Sequence, residues 1–208
     1  MKTRWFALLL TLPMLSWAED AVLSDVLARF WQAGQTKYQY QETRKMELLD
    51  APVQAQGYML SDAEGTLVKL QLQPSRVIMA IAGQSMFYWD PAQHQRHSAP
   101  LSYGGPAARQ ITVFRSILQG RVEELQAAYD LAAENKGQQW TLRLTPKPDQ
   151  SDSDMLSIAI SGDADDKQRK IVIRQADDES TEYLISAAVS DQASEYSISS
   201  LLREATGD

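Results

Sequence analysis

The chain of 208 residues contains no cysteine. That excludes disulfides, thiol nucleophiles and a lipid-anchored cysteine behind a leader. Histidine is nearly as scarce, with only His94 and His97. At that spacing on a strand they point to opposite faces, and no carboxylate pair stands by to complete a metal set, so they read as residues of a solvated loop. No G-x-S-x-G elbow is present for a serine hydrolase. "SGDADDKQ" bunches Asp163, Asp165 and Asp166 but lacks the glycine and distal glutamate of a calcium loop, and reads as a hairpin tip. Basic charge is also short: 20 Lys and Arg against 27 Asp and Glu, net −7. That argues against nucleic acid or an anionic membrane surface as partner. The reading is a non-enzymatic protein without metal or cofactor.

There is one long apolar run. "WFALLLTLPML" follows Lys2 and Arg4 and precedes Ser16-Trp17-Ala18, which offers small residues at the positions of a signal-peptidase site. The three parts predict a secretory signal peptide over residues 1–18, cleaved after Ala18 and too short to span a membrane. The mature chain, residues 19–208, then carries 20 − 2 = 18 basic residues against 27 acidic, net −9. It shows no repeat or linker and is long enough for one domain with a sizeable core.

"EDAVLSDVLARFWQAG" predicts a helix, with Val22, Leu23, Val26, Leu27, Phe30 and Trp31 on one stripe, Asp20 as cap and Gly34 as stop. Strands follow at short spacing. "TKYQYQETRKMELL" puts Tyr38, Tyr40, Glu42, Arg44, Met46 and Leu48 on one face, where Glu42 and Arg44 can form a structural ion pair. Gly57 in "VQAQGYML" marks a bulge or a close approach. "TLVKLQLQ" alternates Val68, Leu70 and Leu72 against Lys69 and Gln71. "YGGPAARQITVFRSILQG" predicts a second helix, with Pro106 at its start and Ile111, Phe114, Ile117 and Leu118 on one face. "RVEELQAA" adds a short third piece. Five more strand-like segments run from "YDLAAEN" to "TEYLISAAV". Roughly ten strands and two or three helices make an α+β layout with an antiparallel sheet.

The stretch "RVIMAIAGQSMFYWDP" reads as a tight hairpin around Gly83-Gln84, and both of its faces are apolar. Val77, Met79, Ile81, Met86 and Tyr88 fall on one face; Ile78, Ala80, Ala82, Phe87 and Trp89 fall on the other. A long antiparallel sheet curls as it twists, and two amphipathic helices are too short to cover its whole concave side. The remainder is an apolar groove between sheet and helices, for which flexible methionine is a suitable wall. Either hairpin face could line that groove; the methionine-bearing face is the one assigned here. The other packs under a loop, a terminal segment or a partner. The candidate lipid-binding residues are therefore Leu27, Phe30, Trp31, Met79, Ile81, Met86, Tyr88, Phe114, Ile117 and Leu118.

The order of these elements resembles the periplasmic outer-membrane lipoprotein carrier family, LolA and LolA-like proteins. The resemblance rests on the helix before the first strand, the glutamine-glycine strand "VQAQGYML", the hairpin "QPSRVIMAIAGQSMFYWDP" and the segment "YDLAAENKGQQWTLRLTPKP". It implies an open, incomplete β-barrel lidded by helices, with a hydrophobic cavity that holds acyl chains. It also implies a periplasmic monomer acting as carrier for a lipid, acyl chain or lipid-linked product, between an inner-membrane exporter and an outer-membrane acceptor. In the carriers an arginine-proline pair near the end of the glutamine-glycine strand helps control the lid; Ser61-Asp62-Ala63 stand there instead. That departure points to a LolA-like branch with a cargo other than lipoproteins, and to a lid held by packing. The alternative is a non-enzymatic interaction subunit of a lipid export or envelope assembly system.

Overall fold

The computed structural model describes residues 16–29, 36–103, 105–148, 155–188 and 195–208, and of residues 16–20 and 105–110 the backbone alone. Eleven strands form one antiparallel sheet: β1 Thr36–Lys45, β2 Val53–Ser61, β3 Leu67–Gln73, β4 Val77–Ala82, β5 Ser85–Asp90, β6 Gln95–Pro100, β7 Tyr129–Lys136, β8 Gln139–Pro146, β9 Met155–Asp163, β10 Gln168–Gln175 and β11 Ser180–Ala187. Their order is β6-β5-β4-β3-β2-β1-β11-β10-β9-β8-β7. Two meanders meet where β1 pairs with β11, and among the described residues β6 and β7 remain as free edges, so the curled sheet is an unclosed half-barrel. The helices are α1 Ser16–Ala28, α2 Gly105–Leu118, α3 Val122–Ala128 and α4 Ile198–Thr206.

The two faces of the sheet have separate cores. Tyr38 and Tyr40 of β1, Met59 of β2, Leu67 of β3 and Ile81 of β4 share one cluster with inward residues of β8 to β11 and with Val26, Phe114, Ile117 and Leu125 of the first three helices. On the opposite face Tyr58, Leu60, Val68, Leu70, Ile78 and Ala80 pack with Leu201 and Ala205 of α4, flanked by Phe87 and Trp89. This answers the two-faced hairpin: its methionine face belongs to the α1–α3 side, and a terminal segment covers the other.

The hairpin register is the one read from the sequence, with Ile81 opposite Met86, Met79 opposite Tyr88 and Ile78 opposite Trp89. Gly83 takes a φ of +58°, which a glycine at the first loop position supplies without strain. Gly57 is both of the things expected of it. The β2–β3 register shifts between Gln56 and Gly57, and a Cβ at Gly57 would run into the Leu70 carbonyl oxygen.

Four readings are corrected. Helix α1 is described from Ser16 onward, so Asp20 lies inside it and is no cap. β1 ends at Lys45, and Met46 and Leu48 enter a turn closed by Leu49 N–H donating to the Met46 carbonyl at 3.2 Å. The His94–His97 stretch is no loop throughout. His97 belongs to edge strand β6, whose mostly exposed side chains leave no apolar alternation to read. Finally, α4 was not anticipated. Ser197 caps it in a reciprocal box with Ser200, and Gly207 ends it at a φ of +87°.

Candidate functional site

The concave face is the side of the sheet turned to α1, α2 and α3. Alternation along β1 puts Tyr38, Tyr40, Glu42 and Arg44 on it, and the ladder carries that phase sideways through Met59 of β2, Lys69 of β3, Met79 of β4 and Tyr88 of β5. Helix α2 lies over this floor because its apolar stripe points inward. Phe114 meets the Tyr183 ring edge-on at a centroid distance of 4.6 Å, and Ile117 and Leu118 are buried with it.

Among the sequence-assigned residues, Leu27, Ile81, Phe114, Ile117 and Leu118 are buried in one cluster, with Met79 and Met86 half-buried against it. Tyr88 shares the face by register, half-buried toward the edge, with its ring 6.0 Å from that of His97. Phe30 and Trp31 lie outside the described residues. Leu101, Val122, Tyr129, Leu131 and Met155 extend the half-buried rim. Among the described residues, a cavity between α2 and the sheet, lined by Tyr38, Ile117, Leu118, Arg169, Ile171 and Ile185, holds about 30 Å³, room for about two waters.

The lid is held by more than packing. The Gln119 side chain, just past α2, donates from Nε2 to the carbonyl oxygens of Asp62 at 3.2 Å and Thr66 at 3.4 Å in the β2–β3 turn. The Asp62 carboxylate is turned to its own loop, accepting from Thr66 N–H at 2.8 Å. The donor thus comes from the helix and the acceptors from the strand end, a pairing that the charge of Asp62 does not oppose.

Sequence reasoning paired Glu42 with Arg44 and missed the third member. Glu42 is 3% exposed and accepts from Arg44 Nη2 at 2.6 Å and from Lys69 Nζ at 2.5 Å. Lys69 comes from β3, across β2, beyond the reach of a one-strand reading. Its ammonium lies 5.1 Å from the ring centroids of both Tyr40 and Tyr183 and donates to the Tyr183 hydroxyl at 3.4 Å. Burial alone would raise the Glu42 carboxyl; the Lys69 and Arg44 charges outweigh it and hold the group below its ordinary value. Burial lowers the Lys69 ammonium, and Glu42 offsets this only in part. Burial raises both tyrosines, helped by the charge of Glu42.

The family described as "Outer membrane lipoprotein carrier protein LolA-like" matches residues 17–205. No curated protein matches the sequence. Among solved structures, the chain is similar to a LolA superfamily protein from Nitrosomonas europaea, at 10% identity and a TM-score of 0.44, covering 84% of this chain and 96% of that one. A DUF1329 family protein from Desulfovibrio piger aligns at 10% identity and a TM-score of 0.47, covering 86% and 96%. A putative outer membrane lipoprotein-sorting protein domain from Vibrio parahaemolyticus aligns at 9% and 0.43, again covering 86% and 96%. These structural likenesses are distant, and the assignment rests on the sequence match across nearly the whole chain: the protein belongs to the outer membrane lipoprotein carrier LolA-like family.

Proposed function

We propose that this protein is a periplasmic carrier. It takes a lipid or lipid-linked molecule onto the concave face of its sheet, beneath α2 and α3, and passes it toward the outer membrane. The observation that carries this reading is the continuity of the buried floor with a half-buried apolar rim that includes Met79, Met86, Leu101, Val122, Tyr129 and Met155. Such a rim suits contents of variable shape, since methionine repacks easily. Each methylene moved from water to this face contributes about 0.8 kcal/mol. Because Phe114, Ile117 and Leu118 of α2 are buried against the face, a chain that enters replaces contacts already made.

Its partners in this reading are an inner-membrane exporter that loads it and an outer-membrane acceptor that empties it, and it works as a monomer without catalysing a reaction. Export follows from the leader read over residues 1–18. Native mass spectrometry of the protein gently purified from the periplasm tests the reading. A co-purified lipid is expected. A bare polypeptide that also takes up no long-chain probe contradicts it. The second reading, an interaction subunit, draws on Leu48 and Leu49, exposed in the β1–β2 connection. It predicts that changing both to serine abolishes function in a protein that carries no lipid.

A further inference from the structure

The concave face is not uniformly apolar, and the exception has a direction. Lys69 stands in the floor between two tyrosine rings; Glu42 lies next to it; Arg44, with a side chain 44% exposed, continues the line to the end of β1. A polar track therefore runs from the middle of an apolar floor to the surface at one end of the half-barrel. At the other end the same face is Leu67, Ile81 and Met86. A buried ion pair often contributes no more to stability than apolar residues of the same volume. A cargo that was hydrocarbon throughout would gain nothing from this one.

We propose that Lys69, Arg44 and Tyr40 form a head-group site that takes the carboxylate of a long-chain amphiphile, whose chain lies toward Met79 and Met86. The proposal rests on the carrier reading and names the chemistry of its cargo.

Three observations support it. Both Glu42 oxygens are engaged, one by Arg44 and one by Lys69. What the cluster has to spare is donors: the third Lys69 N–H and the Arg44 N–H groups not engaged by Glu42 and Tyr183. Second, the Tyr40 hydroxyl is buried, in a residue 0% exposed, and has no hydrogen-bond partner among the described residues. An unsatisfied buried hydroxyl is costly unless something completes it. Third, the formal charges of Lys69, Arg44 and Glu42 sum to +1 + 1 − 1 = +1. A singly charged anionic head such as a carboxylate brings that to zero; a dianionic phosphate monoester leaves a buried excess of negative charge, and a cationic head adds to the positive one. Phe114 sits on Tyr183 beside the cluster, so the movement of α2 that admits the chain also uncovers the head-group donors.

The test is calorimetric titration of the full mature chain with dodecanoate, methyl dodecanoate, dodecyltrimethylammonium and acetate, the two ionic amphiphiles below their micellar concentrations and the ester below its solubility limit. Dodecanoate is expected to bind about tenfold or more tighter than its ester, the cation more weakly than the ester, and acetate not measurably, since one charge-assisted hydrogen bond corresponds to about that factor. Lys69→Met should reduce the dodecanoate preference to about parity. Tyr40→Phe guards against misfolding of that variant: it removes a hydroxyl without a partner, so the unliganded protein keeps its melting temperature while dodecanoate affinity falls several-fold, by more than ester affinity does. Equal affinity for dodecanoate and its ester overturns the head-group site and leaves the carrier standing. Tightest binding by the cation overturns it too, in favour of Glu42. If no chain-bearing probe binds, the carrier reading fails and this site falls with it.

Discussion

Gln119 and Asp62 join the lid to the sheet. The amide of Gln119 donates to the Asp62 carbonyl at 3.2 Å, 57 residues away along the chain. An intramolecular hydrogen bond of this kind contributes about 0.5–1.5 kcal/mol net. Gln119→Leu should therefore loosen α2 without unfolding the domain. Amide hydrogen exchange is expected to quicken in α2 and α3 and to stay unchanged in β8 to β11. Unchanged exchange in α2 would show that packing of Phe114, Ile117 and Leu118 alone sets the lid.

A second prediction concerns the buried ions. Glu42→Gln leaves Lys69 and Arg44 without their counter-charge and should cost about 3–5 kcal/mol, whereas Glu42→Leu combined with Lys69→Met should recover most of that loss. The pH dependence has a definite sign. The carboxyl of Glu42 is held below its unfolded value of 4.5, so its stabilisation is complete above that value and is lost as pH falls through the lower native one. Denaturant titrations from neutral pH downward should show a steeper acid loss in the wild type than in the double variant. Parallel curves would contradict the assignment.

A third prediction follows from α4. Arg96 stacks on Trp89 at 4.0 Å and donates to the carbonyls of Ala205 at 3.1 Å and Glu204 at 3.2 Å, and Arg76 pairs with Glu204 at 2.6 Å. Leu201 is 2% exposed, and Leu201→Ala should cost about 2–5 kcal/mol. Removing residues from Ser197 onward should bare Ile78, Ala80, Phe87 and Trp89 and produce strong binding of a hydrophobic dye, or aggregation. A truncated protein that stays monomeric and binds no dye would mean the helix is dispensable.

What was legible in the sequence was local. The Gly83 turn, the strand phase of the hairpin, the role of Gly57 and the buried stripe of α2 each depend on neighbours a few residues apart. α4 carried a local signal of the same kind that went unread, since Ile198, Leu201, Leu202 and Ala205 recur at helical spacing between Ser197 and Gly207. What α4 covers was not legible, because Ile78 and Ala205 meet only when the chain end returns to the sheet. In β3 the apolar set Val68, Leu70 and Leu72 faces α4, and the concave positions are Leu67, Lys69 and Gln71. Reading hydrophobicity as the direction of the lid fails there, because two cores compete for one strand. The Lys69–Glu42 pair is hidden for a related reason: its members sit on strands separated by a third. The phase shared by Lys69 and Met79 was the one available clue.

A fourth prediction is genetic. The resemblance to the lipoprotein carriers implies a cationic strand end where Ser61-Asp62-Ala63 stand, and here the lid is tied by a neutral amide donor from the helix side. The opening equilibrium and the partners that act on it should differ accordingly. Expressed in the periplasm of a cell depleted of its own lipoprotein carrier, this protein should not restore growth. Restored growth with normally localised lipoproteins would place it among the lipoprotein carriers.

The central claim is that cargo lies on the methionine face of the sheet. The most direct measurement is NMR of isotope-labelled methionine methyl groups while a spin-labelled long-chain amphiphile is added. Met59, Met79, Met86 and Met155 belong to the concave side, whereas Met46 sits in the turn after β1. The account predicts saturable broadening of the Met79 and Met86 methyls, with Met46 left sharp. A bound amphiphile that leaves Met79 and Met86 unchanged, or a protein that binds none, would contradict it.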